Sequence, residues 1–270
     1  MVKEMPQSEM KNSERKRDYG ELLAHARILA TENAWKETVL GELQALGKKY
    51  PIVVFELQSL AGLPPKVNIS AGVHGDEPAG PATALKLLEA LPHDPTARAL
   101  GISLVICENP TGYELHTREN WRGVDLNREW RESSREREVS ILRSYVETRT
   151  FQLSIELHED IDTHGFYLYE LFNGATEKSF GSRVVQAVQQ ASFEVNFDTE
   201  IDGHPALHGI VHPKLNVDEM PGWPKSIFVH LTHLEHNITL ETAPALPLET
   251  RVAVLQLAIK TCLDLLSAEK

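Results

Sequence analysis

Cysteine is nearly absent from this chain: Cys107 and Cys262 are the only two in 270 residues. Two are too few for a disulfide framework or a cysteine-based zinc knot, so neither organises the fold. A reducing cytoplasm is the expected compartment. Long apolar runs are missing as well. No stretch approaches the roughly 20 residues that span a bilayer, and the opening MVKEMPQSEMKNSERKRDYG has no apolar core of a secretory signal. Positive charge is in deficit, with 27 Lys and Arg against 39 Asp and Glu and a formal net charge of −12. Binding to a phosphate backbone needs clustered Lys and Arg, so neither a nucleic acid nor a membrane is an expected partner. Histidine, by contrast, is plentiful, at 12 residues. The question is which of them bind metal.

Hydrophobic residues make up 41 % of the chain, enough for a sizeable core. Without repeats or low-complexity linkers, one domain is expected over residues 19–270, behind a mobile N-terminal arm of residues 1–18. A helix is predicted from Tyr19 to about Ala34, because Leu22, Ala26, Leu29 and Ala30 share one face. Strands are predicted over Thr38–Leu46, Ile52–Leu57 and Lys66–Gly72, then a helix from Pro78 to about Leu91. The continuous apolar run Ile102–Cys107 predicts a strand covered on both faces. Glu108–Trp130 has no clear periodicity. Helices follow over Ser133–Glu147, Ser179–Ser192 and Leu248–Ser267. The remaining strands are Phe151–His158, Gly165–Leu171, Ile227–Leu231 and His236–Glu241, and Phe193–Lys225 reads as a long loop. Strands alternating with helices predict an α/β fold, with a central mixed, mostly parallel sheet between helices on both faces.

The sharpest chemical signal is His74-Gly-Asp-Glu77, placed where a predicted strand ends and a helix begins. A His and a carboxylate three apart can grip one ion, and ligands of open α/β sheets gather at strand carboxyl ends. His116 and Glu119 repeat the spacing in an irregular segment without that placement. His158 ends the polar face of its alternating strand and is the natural third ligand, leaving zinc an open position as catalytic sites require. Asn109–Tyr113 follows the buried strand, and Arg122, Asn127 and Arg128 come next in a structureless stretch, suited to hold a carboxylate or an oxyanion. Glu241 ends the last strand and is placed to act as general base on a water activated by the metal. Each residue alone also reads as ordinary turn or strand-end chemistry.

The order H-x-x-E (His74, Glu77), NPxGY (Asn109–Tyr113), W-R (Trp121, Arg122), GVDLNR (Gly123–Arg128), a strand His (His158) and a late strand Glu (Glu241) resembles the zinc metallocarboxypeptidases. It also resembles their relatives, the succinylglutamate desuccinylase and aspartoacylase group. The resemblance runs from about residue 38 to 260 and implies a carboxypeptidase-like fold. It implies that His74, Glu77 and His158 hold one zinc ion, and that Glu241 is the general base and proton shuttle. Arg122 would stabilise the oxyanion, with Asn127 and Arg128 receiving the substrate carboxylate. One departure stands out: carboxypeptidases place a mobile Tyr shortly before the catalytic Glu, whereas all six Tyr here lie at or before Tyr169.

The expected activity is zinc-dependent hydrolysis of an amide bond next to a free carboxylate, on a peptide or peptide-like substrate. The alternative is removal of an acyl group from an N-acyl amino acid. The single helix after Glu241 favours the peptidase arrangement, and the missing Tyr favours the acylase. A non-catalytic zinc module would need neither Glu241 nor Arg122. His204, His208, His212, His230, His233 and His236 crowd one stretch. Pro205, Gly209 and Pro213 argue against a helix that would align the first three, so pocket or surface histidines are expected there rather than a second metal site. The sequons at Asn68 and Asn237 carry no weight without a secretory signal.

Overall fold

The structure, a computed structural model, describes residues 16–131, 134–172, 179–213, 215–233 and 236–269. Residues 1–15 of the expected arm and Ser133 of an expected helix lie outside the described residues. Asp18 caps the first helix, α1 (Tyr19–Glu32), by accepting from the Glu21 N–H at 3.1 Å. A hairpin follows, β1 (Lys36–Ala45) and β2 (Lys48–Leu57), turned by Leu46 and Gly47. Both turn residues have positive φ, which matches the twist of the strands they join. β3 (Val67–Ala71), α2 (Ala79–Ala90), α3 (Pro95–Leu100), β4 (Ile102–Val105) and α4 (Pro110–Leu115) come next. The second half runs α5 (Arg137–Glu147), β5 (Leu153–Glu159), β6 (Tyr167–Phe172), α6 (Gly181–Gln190), β7 (Glu200–Ile201), β8 (His204–Leu207), β9 (Ile210–Val211), α7 (Lys225–His233), β10 (His236–Thr242) and α8 (Leu248–Ala268).

The ten strands of the described residues form one mixed sheet in the order β1-β2-β4-β3-β5-β10-β6-β9-β8-β7. Its centre, β4-β3-β5-β10, is parallel, and antiparallel pairs flank it on both sides. The α/β expectation holds. Among the described residues no helix is long and apolar enough to cross a membrane.

The alternation in β5 sorts the sheet into two unlike faces, yet all seven of its residues are buried. On one face Leu157 and Ala71 pack against Gly80 of α2, in the apolar core shared with α8. Each buried Leu or Ile on that side contributes about 1.5–3 kcal/mol. The other face carries polar side chains that satisfy one another. Asn68 Nδ2 donates to Ser154 Oγ (3.2 Å), Ser103 Oγ to Asn68 Oδ1 (3.3 Å), and Asn237 Nδ2 to Glu156 Oε1 (3.3 Å). Tyr145 of α5 and Lys225 of α7 close over this face, at Ser103 and Ser70. Both sequon asparagines lie in it, each 1 % exposed.

Two segments differ from expectation. Ile227–Leu231 is helical, inside α7, because Ile227, Phe228 and Val229 face the core while Leu231 turns to solvent. A five-residue run with four apolar members cannot distinguish the two periods. The expected loop Phe193–Lys225 contains β7, β8 and β9, which extend the sheet. Their turns are Asp202-Gly203 and His208-Gly209, with positive φ at all four residues. That is the hairpin signal of an X-Gly pair between strands too short to show alternation. His204 therefore opens β8 and His208 sits in the turn that follows it, so no helix aligns them.

Candidate metal centre

The centre is assembled where β3, β4, β5 and β10 end together. After β3 the chain turns through Gly72 (φ 68°) and Gly75 before Glu77 reaches the N-terminal end of α2. The NPTGY segment holds this turn from behind. Asn109 accepts from the Gly112 N–H (2.9 Å) to cap α4, and its Nδ2 donates to the carbonyls of Val73 (3.2 Å) and Arg118 (3.3 Å). The Asn109 N–H donates to Gly72 O at 2.8 Å. Gly75 and Gly112 are in direct backbone contact, and any Cβ on Gly75 would overlap Gly112.

His74 Nδ1 lies 2.6 Å from Glu77 Oε1, and His158 Nδ1 lies 3.1 Å from Glu77 Oε2. Their donor atoms all fall within 4.8 Å of one another, and all three side chains are buried. Ligand atoms around one tetrahedral zinc ion stand roughly 3.3 Å apart, so two imidazoles and a carboxylate in this arrangement fit that ion. Asp125 Oδ1 stands 3.3 Å from His74 Nε2, which leaves Nδ1 turned to the centre. The Glu159 N–H donates to Glu77 Oε2 (3.1 Å), and the Glu159 side chain accepts from the Ala79 N–H (2.9 Å) and pairs with Arg251.

Electrostatics follow from this burial. Desolvation alone would raise the Glu77 carboxyl, but His158 and His74 hold it down at about 2. Burial works against the His74 imidazolium, yet Glu77 and Asp125 outweigh it and push the group up to about 9. Glu241 is the opposite case. It pairs in register with His158 on β5 and with Tyr167 on β6. Burial pushes its carboxyl up to about 8, against the pull of His158. Tyr167 donates to Asp160 Oδ2 at 2.9 Å, and Tyr169 to Asp202 Oδ2 at 3.1 Å. Two phenols thus sit beside Glu241 on the neighbouring strand, though none lies in the loop before it.

The arginines divide. The Arg122 side chain, 51 % exposed, points to Glu136 at 3.7 Å. Arg118 reaches the centre instead, with Nη1 3.7 Å from Glu77 Oε1 and Nε donating to Asp125 Oδ2 at 3.1 Å. Asn127 is buried, and its Oδ1 accepts from the Lys225 N–H at 3.0 Å. Arg128 is exposed, with Nη1 donating to Asn127 O at 3.0 Å. His116 caps α4 in the left-handed conformation and is not one of the three grouped side chains, so among the described residues the repeated His-x-x-Glu spacing forms no centre. Sequence reasoning missed Arg118, Asp125 and Lys225. The Asp of GVDLNR was a usable signal for Asp125, whereas the other two depend on the path of a long loop and on α7.

The profile of the succinylglutamate desuccinylase/aspartoacylase catalytic domain matches residues 64–265. The chain belongs to that family. The match spans all the candidate ligands and excludes α1 and the β1/β2 hairpin. No curated protein matches the chain in sequence. Among solved structures it resembles a candidate metallopeptidase from Shewanella amazonensis, 24 % identical, covering 90 % of each chain with a TM-score of 0.74. Another from Shewanella denitrificans is 22 % identical over 94 % of this chain and 92 % of that one, TM-score 0.77. A metallo-carboxypeptidase from Burkholderia cenocepacia is 19 % identical over 92 % of this chain and 68 % of that one, TM-score 0.69. These likenesses are of fold, and the carboxypeptidase-like architecture is shared.

Proposed function

We propose that this chain is a metal-dependent hydrolase of an amide bond next to a free carboxylate. The observation that carries the reading is the register pairing of Glu241 with His158, which sets a buried carboxyl beside the His74–Glu77–His158 cluster. These three residues would hold one zinc ion. The chemistry that zinc would supply at this position is Lewis acidity toward the scissile carbonyl and a water pKa lowered to about 7. Asn127 and Arg128 bind the substrate carboxylate, Arg128 through its planar fork. Glu241 takes a proton from the attacking water and delivers it to the leaving amine. Arg118, already at the cluster, balances the negative charge that develops on the carbonyl oxygen. Arg122 takes that role only if it leaves Glu136.

The family match supports an N-acyl amino acid as the substrate class. The fold shared with a metallo-carboxypeptidase supports a peptide with a free C-terminus as the second reading. A hydrolysis screen of the zinc-loaded protein separates them, with C-terminal dipeptides in one arm and N-acyl amino acids in the other. Cleavage in neither arm would defeat both readings.

A further inference from the structure

Lys225 opens α7 and is 1 % exposed, a rare setting for an ammonium group. Its Nζ is bonded to Glu108 and donates to Ser70 Oγ at 2.7 Å, and it stands 5.8 Å over the Trp130 ring. Ser70 belongs to β3 and Glu108 follows β4, so the ammonium grips the two strand ends that lead into the metal centre. The backbone N–H of the same residue donates to Asn127 Oδ1. The neighbouring backbones run together as well. The Trp130 N–H donates to Trp223 O at 3.2 Å, and a Cβ on Gly222 would overlap Arg128 O.

A carboxamide has an acceptor end and a donor end. With Oδ1 held by a backbone N–H, Asn127 turns its NH2 group to the other side and can offer only donors there. Only an anion, or another acceptor, gains from meeting it. The orientation depends on where α7 begins, and the buried ammonium sets that point. We propose that Lys225 is a positioning residue for carboxylate recognition, anchoring α7 so that Asn127 presents its donor end to the substrate. The proposal rests on Asn127 and Arg128 being the carboxylate receptors.

The test uses the zinc-loaded full chain and two probes, N-acetylglycine and N-acetylglycinamide, the second lacking the carboxylate. Calorimetry should show that wild type prefers the acid, and that Lys225→Met loses about tenfold of that preference, the worth of one hydrogen bond to a charged group. Zinc content should not change. Removing the ammonium alone strands Glu108 in the core. The double variant Lys225→Met/Glu108→Gln removes both charges, and it should fold and show the same loss. Crystal structures of wild type and the double variant give a second readout, in which Asn127 Oδ1 should leave the N–H of residue 225. A variant that keeps the wild-type acid preference, or keeps Asn127 in place, overturns the proposal. A wild type indifferent to the carboxylate counts against the receptor reading instead, and the two crystal structures still decide the positioning.

Discussion

Gly75 of the metal loop and Gly112 of the NPTGY helix touch backbone to backbone, with no room for a side chain between them. Gly75→Ala must push the loop off α4 and carry His74 away from Glu77. A loss of about 3 kcal/mol in denaturant unfolding is expected, typical of an overpacked interior, together with loss of zinc affinity. An alanine variant with a wild-type midpoint and full zinc content would falsify this account of the loop.

Zinc should stabilise the folded chain by mass action. At a free concentration about 100 times its dissociation constant, the gain is about 2.7 kcal/mol. Thermal melts with and without a chelator check this. His158→Ala and His74→Ala should abolish the zinc-dependent increase, while His116→Ala should retain it, because His116 lies outside the cluster.

Glu241→Gln keeps the shape of the side chain but not its proton chemistry. Turnover should fall about a thousandfold, within the usual range for a general acid–base group, with zinc bound as in wild type. Retained hydrolysis in the zinc-replete variant removes Glu241 from the mechanism.

Arg118 and Arg122 make a paired comparison. Arg118→Met should lower kcat/KM about a hundredfold, the typical loss for one donor to a developing oxyanion. Arg122→Met should cost much less, since its side chain rests on Glu136. The reverse ranking would show that Arg122 swings in when substrate binds.

Asp94 tests a different kind of charge. It caps α3 by accepting from the Thr96 and Ala97 N–H groups (2.7 and 3.1 Å) and pairs with Lys260. Burial would raise its carboxyl, but these hydrogen bonds and Lys260 hold it below its ordinary value. A carboxyl lowered by folding stabilises above its unfolded pKa, about 3.9, and that stability is lost as pH falls through the folded value. Asp94→Ala should therefore cost about 1 kcal/mol at neutral pH, and the gap between the two unfolding curves should close on acidification. A gap independent of pH would refute the charge argument.

Much of this could be read in the chain beforehand. The spans of α1, α2, α8, β3 and β5 were legible because their apolar periods are long or continuous. His74, Glu77, His158 and Glu241 were legible because each closes a strand or opens a helix, and parallel strands bring such ends together. The residues that escaped share a different cause. Arg118 and Arg122 are four apart in one loop, and nothing local distinguishes the one that turns inward. Lys225 reads as an ordinary surface lysine until α7 folds over the sheet. β7, β8 and β9 are two to four residues long, below the length at which alternation shows.

The unlike faces of the sheet divide the molecule's tolerance for change. Among the apolar residues on the side of α2 and α8, size and shape are what matter, so conservative substitutions there should shift the melting temperature and leave the proposed hydrolysis alone. On the side of α5 and α7, Tyr145, Ser103, Asn68 and Ser154 are hydrogen-bonded in series and Asn237 bonds to Glu156, so altering one leaves its neighbour unsatisfied. Attempts to stabilise this protein have freer ground among the apolar residues of the first side, away from the Glu159–Arg251 pair behind Glu77. On the second, gains in stability should come with losses of the proposed activity.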